Sequence, residues 1–248
     1  RLKASDGGPT FRPAREAQLL RRLLARHEGA LPRGALVRLW REIVASSTRL
    51  QGAFSVGYCP IDGNGDALHL ANSQFGMDAD VLRFASAAQV VSAVARGDAS
   101  VGLVPLPHDS DTPEWWAEME NVPKVQIVAR LPRYVASPNA EDVTGALVVS
   151  TGTPEESGND RSVLTFACDD GVSRARFAEL ARENKLDAET QAVAARPDGA
   201  GGRTHLADVA GFVAADDPRV LGLAGLLGDA EVRLLGAYAA TFIDSPDT

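Results

Sequence analysis

Apolar positions in the first fifty residues recur with a helical period. Between Pro13 and His27, Leu19, Leu20, Leu23 and Leu24 fall three to four residues apart. Pro13 stands where a first turn tolerates proline and Gly29 supplies a stop, so a helix is predicted there. A second helix is predicted from Pro32 to Gln51, with Leu36, Leu39, Trp40, Ile43 and Val44 forming one apolar face. The pattern then shortens. Runs at Phe54–Cys59, Leu82–Ser86, Ser100–Pro105, Lys124–Leu131 and Ala146–Thr151 predict strands, with a helix over Ala87–Arg96. The last ninety residues predict strand Ser162–Asp169, helix Val172–Leu186, strands Thr190–Ala195 and His205–Ala214, helix Pro218–Leu227 and strand Val232–Phe242. That order is βαββαβ, the ferredoxin-like arrangement of two helices on an antiparallel sheet.

The fold class predicted is thus a multidomain chain: an all-helical segment at 1–52, a short α/β block at 53–157 and a ferredoxin-like tail at 158–248. The 248 residues suffice for such units. No apolar run is long enough for a bilayer. Cys59 and Cys168 are too few for a disulfide framework and lack metal-ligand spacing, and with no signal-peptide pattern the expected location is the cytoplasm. The opening Arg1-Leu2-Lys3 reads as mid-phrase, and further sequence is expected before it.

Charge changes the picture of the first segment. Residues 1–51 hold eleven Lys/Arg against four Asp/Glu, a net of +7, whereas the remainder holds fourteen against twenty-nine, a net of −15. A basic segment on an acidic body suggests a site for an anion. Nucleic acid is disfavoured as that anion, because the cations sit within amphipathic helices without interleaved aromatic residues or a known motif. Ser47 and Gln51 continue one side of the second helix four residues apart, and Arg15 and Glu16 occupy the opening turn of the first. Buried polar groups of this kind need partners, and a polar ligand inside a helical bundle would provide them.

Phe11-Arg12-Pro13-Ala14-Arg15-Glu16 before a leucine-rich helix, Arg41-Glu42-Ile43 through Ser47 to Leu50-Gln51, and Lys3 ahead of both resemble the all-helical chorismate mutases. That resemblance implies rearrangement of chorismate to prephenate in aromatic amino-acid biosynthesis, without metal or cofactor. The implied work is orientation of a dianion and stabilisation of charge on the breaking ether oxygen. It assigns Lys3 and Gln51 to the ether oxygen, Glu16 to the ring hydroxyl, Arg15 and Ser47 to carboxylate binding, and Arg12 to substrate contact. Family members usually carry a polar or acidic residue near Arg12. Their other carboxylate-binding arginines lie on a helix that would precede Arg1, one reaching in from the partner of a homodimer.

Gly57-Tyr58-Cys59-Pro60, Gln74-Phe75-Gly76, Val90 to Asp98 and Val101-Gly102-Leu103-Val104-Pro105-Leu106 resemble the prephenate dehydratase domain. The block is short for two lobes, and the family's Thr-Arg-Phe corresponds only to Asp160-Arg161-Ser162. Its polar triplet is replaced by Pro107-His108-Asp109, so a degenerate dehydratase-like domain is expected. The tail resembles an ACT regulatory domain. Gly171 at the strand-to-helix turn and Arg196-Pro197 are the residues this implies for an aromatic amino-acid effector. A bifunctional mutase–dehydratase and a non-catalytic amino-acid sensor are the alternatives.

Overall fold

The computed structural model describes residues 11–61, 67–110, 112, 114–136, 145–196, 198–199 and 201–244. Helices α1 (Pro13–Ala25) and α2 (Arg33–Gln51) form a hairpin, followed by β1 (Ser55–Tyr58), α3 (Ala67–Phe75), β2 (Asp80–Arg83), α4 (Ala87–Arg96) and β3 (Val101–Pro105). Then come the short α5 (Trp115–Glu118), β4 (Gln126–Leu131), β5 (Tyr134–Val135) and β6 (Ala146–Ser150). The tail consists of β7 (Asp160–Cys168), α6 (Arg174–Glu183), β8 (Ala188–Ala195), β9 (Arg203–Ala210), α7 (Pro218–Leu226), β10 (Glu231–Ala239) and β11 (Phe242–Ile243).

Local chemistry explains the well-formed helices. Ser86 caps α4 by accepting a hydrogen bond from the Gln89 N–H, and Gly97 ends it in the left-handed conformation at φ 82°. Ser173 caps α6 from its side chain, and Asp217 caps α7 with Pro218 in the first turn. All six expected elements of the βαββαβ tail are present. Helix α3 was not expected, and β2 begins two residues before the predicted Leu82.

Among the described residues, nine of the strands make one sheet in the order β2-β1-β3-β6-β4-β10-β7-β9-β8, and β11 pairs with β5 in a second, two-stranded one. Strands β2, β1 and β3 are parallel, and β6 is antiparallel to both β3 and β4. The tail contributes β10-β7-β9-β8, whose mutual pairings are all antiparallel. Its β10 runs parallel to β4, with Gly236 opposite Ile127. The sheet of the α/β block therefore continues into that of the tail.

Alternation along the tail strands sorts their two faces. Leu164, Phe166, Ala207 and Val209 pack with Phe177, Leu180, Val220 and Leu223 of α6 and α7. Val163, Ala192, Ala194 and Leu206 point the other way, into a core shared with Trp115, Trp116, Val90, Val94 and Val149 of the α/β block. On the other side of the block, Phe11, Phe54, Phe75, Leu103 and Val148 make a third cluster. Trp115 and Trp116 are hydrophobic cover on a short helix, and both are buried.

The hairpin shows a different face from the one its apolar pattern suggests. The buried residues of α2 are Val37, Ala45 and Thr48, whereas Leu39, Ile43 and Leu50 are 56%, 52% and 83% exposed. In α1, Ala14, Ala17 and Leu24 are buried and the other leucines are half-exposed. Small residues let the hairpin lie close on the body, and its stronger apolar stripe faces outward.

Candidate functional site

Part of the basic character of the hairpin is used in docking it. Arg12 pairs with Glu155, and Arg33 pairs with Asp244 at 2.6 Å. Arg21 donates to the carbonyls of Ser157 and Asn159 at 2.7 and 2.9 Å, and Arg49 to that of Phe75 at 2.9 Å. Phe11 packs against both Phe54 and Phe75, with ring centroids 6.1 and 5.4 Å away. Arg12, Arg21, Arg33 and Arg49 are thus spent on the contact between segment and body.

One ionic group is deeply buried. Glu16 pairs at 3.0 Å with Arg133, which follows β4 and is 7% exposed. Arg133 also donates to the Pro13 carbonyl at 3.1 Å, and its guanidinium lies 5.5 Å from the centre of the Phe11 ring. Arg41 of α2 interacts electrostatically with both. Burial raises the Glu16 carboxyl above its ordinary value in spite of the two nearby cations. Burial, helped by Arg133, pushes Arg41 down to about 10, and burial also lowers Arg133. Two cations face one carboxylate, and Arg41 Nε, Arg41 Nη2 and Arg133 Nη2 are buried without a hydrogen-bond partner among the described residues. Such an arrangement is a desolvated site of net positive charge.

The other expected mutase residues are dispersed. Lys3 lies outside the described residues. Arg15 is exposed on α1 and Gln51 is exposed as the last residue of α2. The Ser47 hydroxyl donates back to the Ile43 carbonyl at 2.9 Å. At about 100° per residue, Ser47 shares the stripe of Leu36, Trp40 and Ile43, roughly 120° from the middle of the buried stripe that contains Val37 and Ala45. Arg41 lies on that buried stripe. The structure therefore turns Glu16 inward and Ser47 outward, and Arg12 serves a surface ion pair.

Sequence reasoning missed Arg41 and Arg133. Arg41 could have been found as the cation in a Val37-Arg41-Ala45-Thr48 stripe at four- and three-residue spacing. Arg133, a single arginine after a proline, carries no such signal.

In the tail, the register places Cys168 and Ala195 both opposite Arg203, so Gly171 and Arg196 come to the same end of the sheet. Gly171 is exposed, and Arg196 pairs with Asp198 at 2.6 Å. Pro197 lies outside the described residues. Asp160, Arg161 and Ser162 all fall in β7. Asp160 accepts from the N–H groups of Ser157 and Gly158 at 2.8 and 3.0 Å, and Ser162 donates to the Gly211 carbonyl at 2.9 Å. His108 and Asp109 have separate partners. His108 faces Glu114 at 3.3 Å, and Asp109 accepts from Arg174 and from the Val193 N–H. Desolvation would raise the Asp109 carboxyl, but the Val193 N–H and Arg174 hold it below the usual carboxylate value. This loop ties β3 to the tail.

Residues 1–52 match the family model chorismate mutase type II. No curated protein matches. Among solved structures, the prephenate dehydratase of Streptococcus mutans is similar, with a TM-score of 0.50 at 16% identity over 77% of this chain and 100% of that one. The prephenate dehydratase of Staphylococcus aureus subsp. aureus Mu50 gives 0.51 at 12% identity, over 75% and 100% of the two chains. A structure described as a novel type of quorum quenching acylase gives 0.53 at 16% identity, over 76% and 96%. At these identities the likeness is one of fold. The chain joins a segment that matches chorismate mutase type II to an α/β body with the fold of the prephenate dehydratases. Among the described residues, no helix is long and apolar enough to cross a membrane.

Proposed function

We propose that the chain is a chorismate mutase. The observation that carries this reading is the match of residues 1–52 to chorismate mutase type II. The reaction breaks an ether C–O bond and forms a C–C bond within one molecule, with no net transfer of a proton or an electron. It therefore asks only for a compact conformer and stabilisation of developing negative charge. In this proposal Lys3 and Gln51 donate to the ether oxygen, Glu16 positions the ring hydroxyl, Arg15 and Ser47 bind carboxylates, and Arg12 contacts substrate. The net positive charge around Glu16 supports an anionic substrate. The first experiment is a spectrophotometric assay of chorismate consumption, with acid treatment to reveal prephenate. Lys3→Ala and Arg15→Ala should each lower turnover by more than about tenfold while keeping the wild-type circular dichroism, and unchanged rates in both would sink the assignment. Phenylpyruvate without acid treatment would make the chain bifunctional.

The proposal includes a homodimer completed through the outward face of α2. The exposed stripe of Leu39, Ile43 and Leu50 beside Ser47 supports it, since such a row on a helix is normally covered. Leu39→Glu/Ile43→Glu should give a monomer by light scattering and remove mutase activity, with the body still folded. A wild-type monomer that is fully active would overturn it.

A second reading is favoured by the placement of Glu16 and Ser47 on opposite sides of the hairpin. In it the mutase segment is a structural appendage and the tail senses an aromatic amino acid through Gly171, Arg196 and Pro197. Calorimetric titration with phenylalanine, tyrosine and tryptophan separates the two: mutase activity without binding rules out the sensor.

A further inference from the structure

The hairpin is held on the body by polar contacts around a thin apolar seam. Among its described residues, Phe11, Ala14, Ala17 and Leu24 at α1 and Val37, Ala45 and Thr48 on α2 are buried, and most of these are small. Arg33 on Asp244, and Arg21 and Arg49 on body carbonyls, supply much of the rest. An element with so few buried apolar groups is of the kind that opens as a unit while the remainder stays folded.

The body also takes hold of two side chains proposed for the mutase reaction. Arg133 Nη1 donates to the Glu16 carboxylate at 3.0 Å and to the Pro13 carbonyl at 3.1 Å, gripping the opening turn of α1. Glu155 pairs with Arg12 just before that turn. Arg15, Ser47 and Gln51 are left exposed, with Ser47 on the side of α2 away from the body. A ring hydroxyl and a carboxylate of one small molecule cannot reach Glu16 and Ser47 at once across helices about 10 Å thick. In the docked hairpin these groups are therefore kept from acting together.

We propose that the docked hairpin is a closed, autoinhibited form of the mutase segment, and that Arg133 is the latch that holds it. The latch presupposes the mutase reading of residues 1–52. Turnover then requires Glu16 to leave Arg133, Arg12 to leave Glu155, and α1 to turn about residues 26–32 until Glu16 reaches the side of Ser47. The latch is of a kind that can open. A buried ion pair gains little over its separated, hydrated partners, so the hairpin is a two-state element near balance rather than a fixed part of the core.

The test combines mutase turnover with hydrogen exchange on the full chain. Arg133→Met removes the charge and the donors at similar bulk. Exchange over Pro13–Ala25 and Arg33–Gln51 should quicken while that of the tail stays as in wild type, and turnover should rise at least about tenfold as the open fraction grows. A tether tests the converse. Gln18 of α1 donates to the Glu156 carbonyl of the body at 3.3 Å, both residues are exposed, and Cys59 and Cys168 are buried. Gln18→Cys/Glu156→Cys can therefore be joined by a reducible bismaleimide. Joined, the protein should lose turnover at least about tenfold and regain it on reduction. Full turnover in the joined form would overturn the latch and leave the mutase reading standing. So would release of the hairpin by Arg133→Met with turnover unchanged or lowered. If Arg133→Met does not fold, the tether decides alone. No turnover in any form, the released hairpin included, overturns the mutase reading and the latch with it.

Discussion

Gly236→Ala should break the connection between the α/β block and the tail, lowering the melting temperature by about 10 °C or more. A Cβ at Gly236 would lie 2.5 Å from the Ile127 nitrogen and 2.8 Å from its carbonyl carbon, with the carbonyl oxygen nearer still. All three are backbone atoms of β4, a central strand, and no side-chain rotation relieves the overlap. The φ of +148° adds backbone strain. A cost of about 4 kcal/mol or more follows, at about 2–4 °C per kcal/mol for a chain of this size. Gly158→Ala isolates the strain, because Gly158 has φ +92° but no described atom within 4 Å of its Cβ position; strain alone should cost about 1–3 kcal/mol there. Since the core containing Trp115 and Trp116 includes residues of both units, tryptophan fluorescence should shift to the red in Gly236→Ala and stay put in Gly158→Ala. Equal melting temperatures for the two variants would mean that β10 and β4 separate without cost.

Gly236 also shows how far the sequence could be read. A glycine within the apolar run from Val232 is the usual sign of close backbone approach. It marks that something lies against the strand, but not that the something is β4. The tail was legible because its apolar runs are of strand length and are separated by helical segments with local punctuation, such as Pro218 at the start of α7. Periodicity likewise revealed α2 as a helix but misidentified its buried side. Leu36, Leu39, Trp40 and Ile43 are the most apolar residues, yet the side of α2 turned to the body carries Val37, the small Ala45 and Thr48, and Arg41, whose charge is favoured there by Glu16. For the candidate mutase site, local sequence could nominate Arg15, Glu16, Ser47 and Gln51, but could not say which way each would face. That depends on the partner 117 residues further along from Glu16.

For the buried group itself, Glu16→Gln should leave the protein at least as stable as wild type at pH 7, whereas Glu16→Leu should cost about 3–5 kcal/mol. The difference comes from what Glu16 supplies. Arg133 and Arg41 are buried and already short of acceptors, so removing the last oxygen strands two cations, the costly way of breaking a buried pair. An amide keeps an acceptor for Arg133 in the same volume. The negative charge is another matter, because burial raises the Glu16 carboxyl in spite of both cations. A carboxyl with a raised folded-state pKa binds its proton more tightly in the folded chain than in the unfolded one. Its contribution to stability is therefore greatest below the ordinary glutamate value and declines as pH rises through the raised folded value. Denaturant titrations from about pH 4.5 to 8 should show wild type losing stability relative to Glu16→Gln across that window. If Glu16→Gln unfolds as readily as Glu16→Leu, the ion pair rather than the acceptor holds the hairpin, and the direction assigned to Glu16 is wrong. The same variant then serves the functional question. With the fold preserved, a loss of mutase turnover in Glu16→Gln would report on the ring hydroxyl it is proposed to position. Unchanged turnover would leave Glu16 as a docking residue alone.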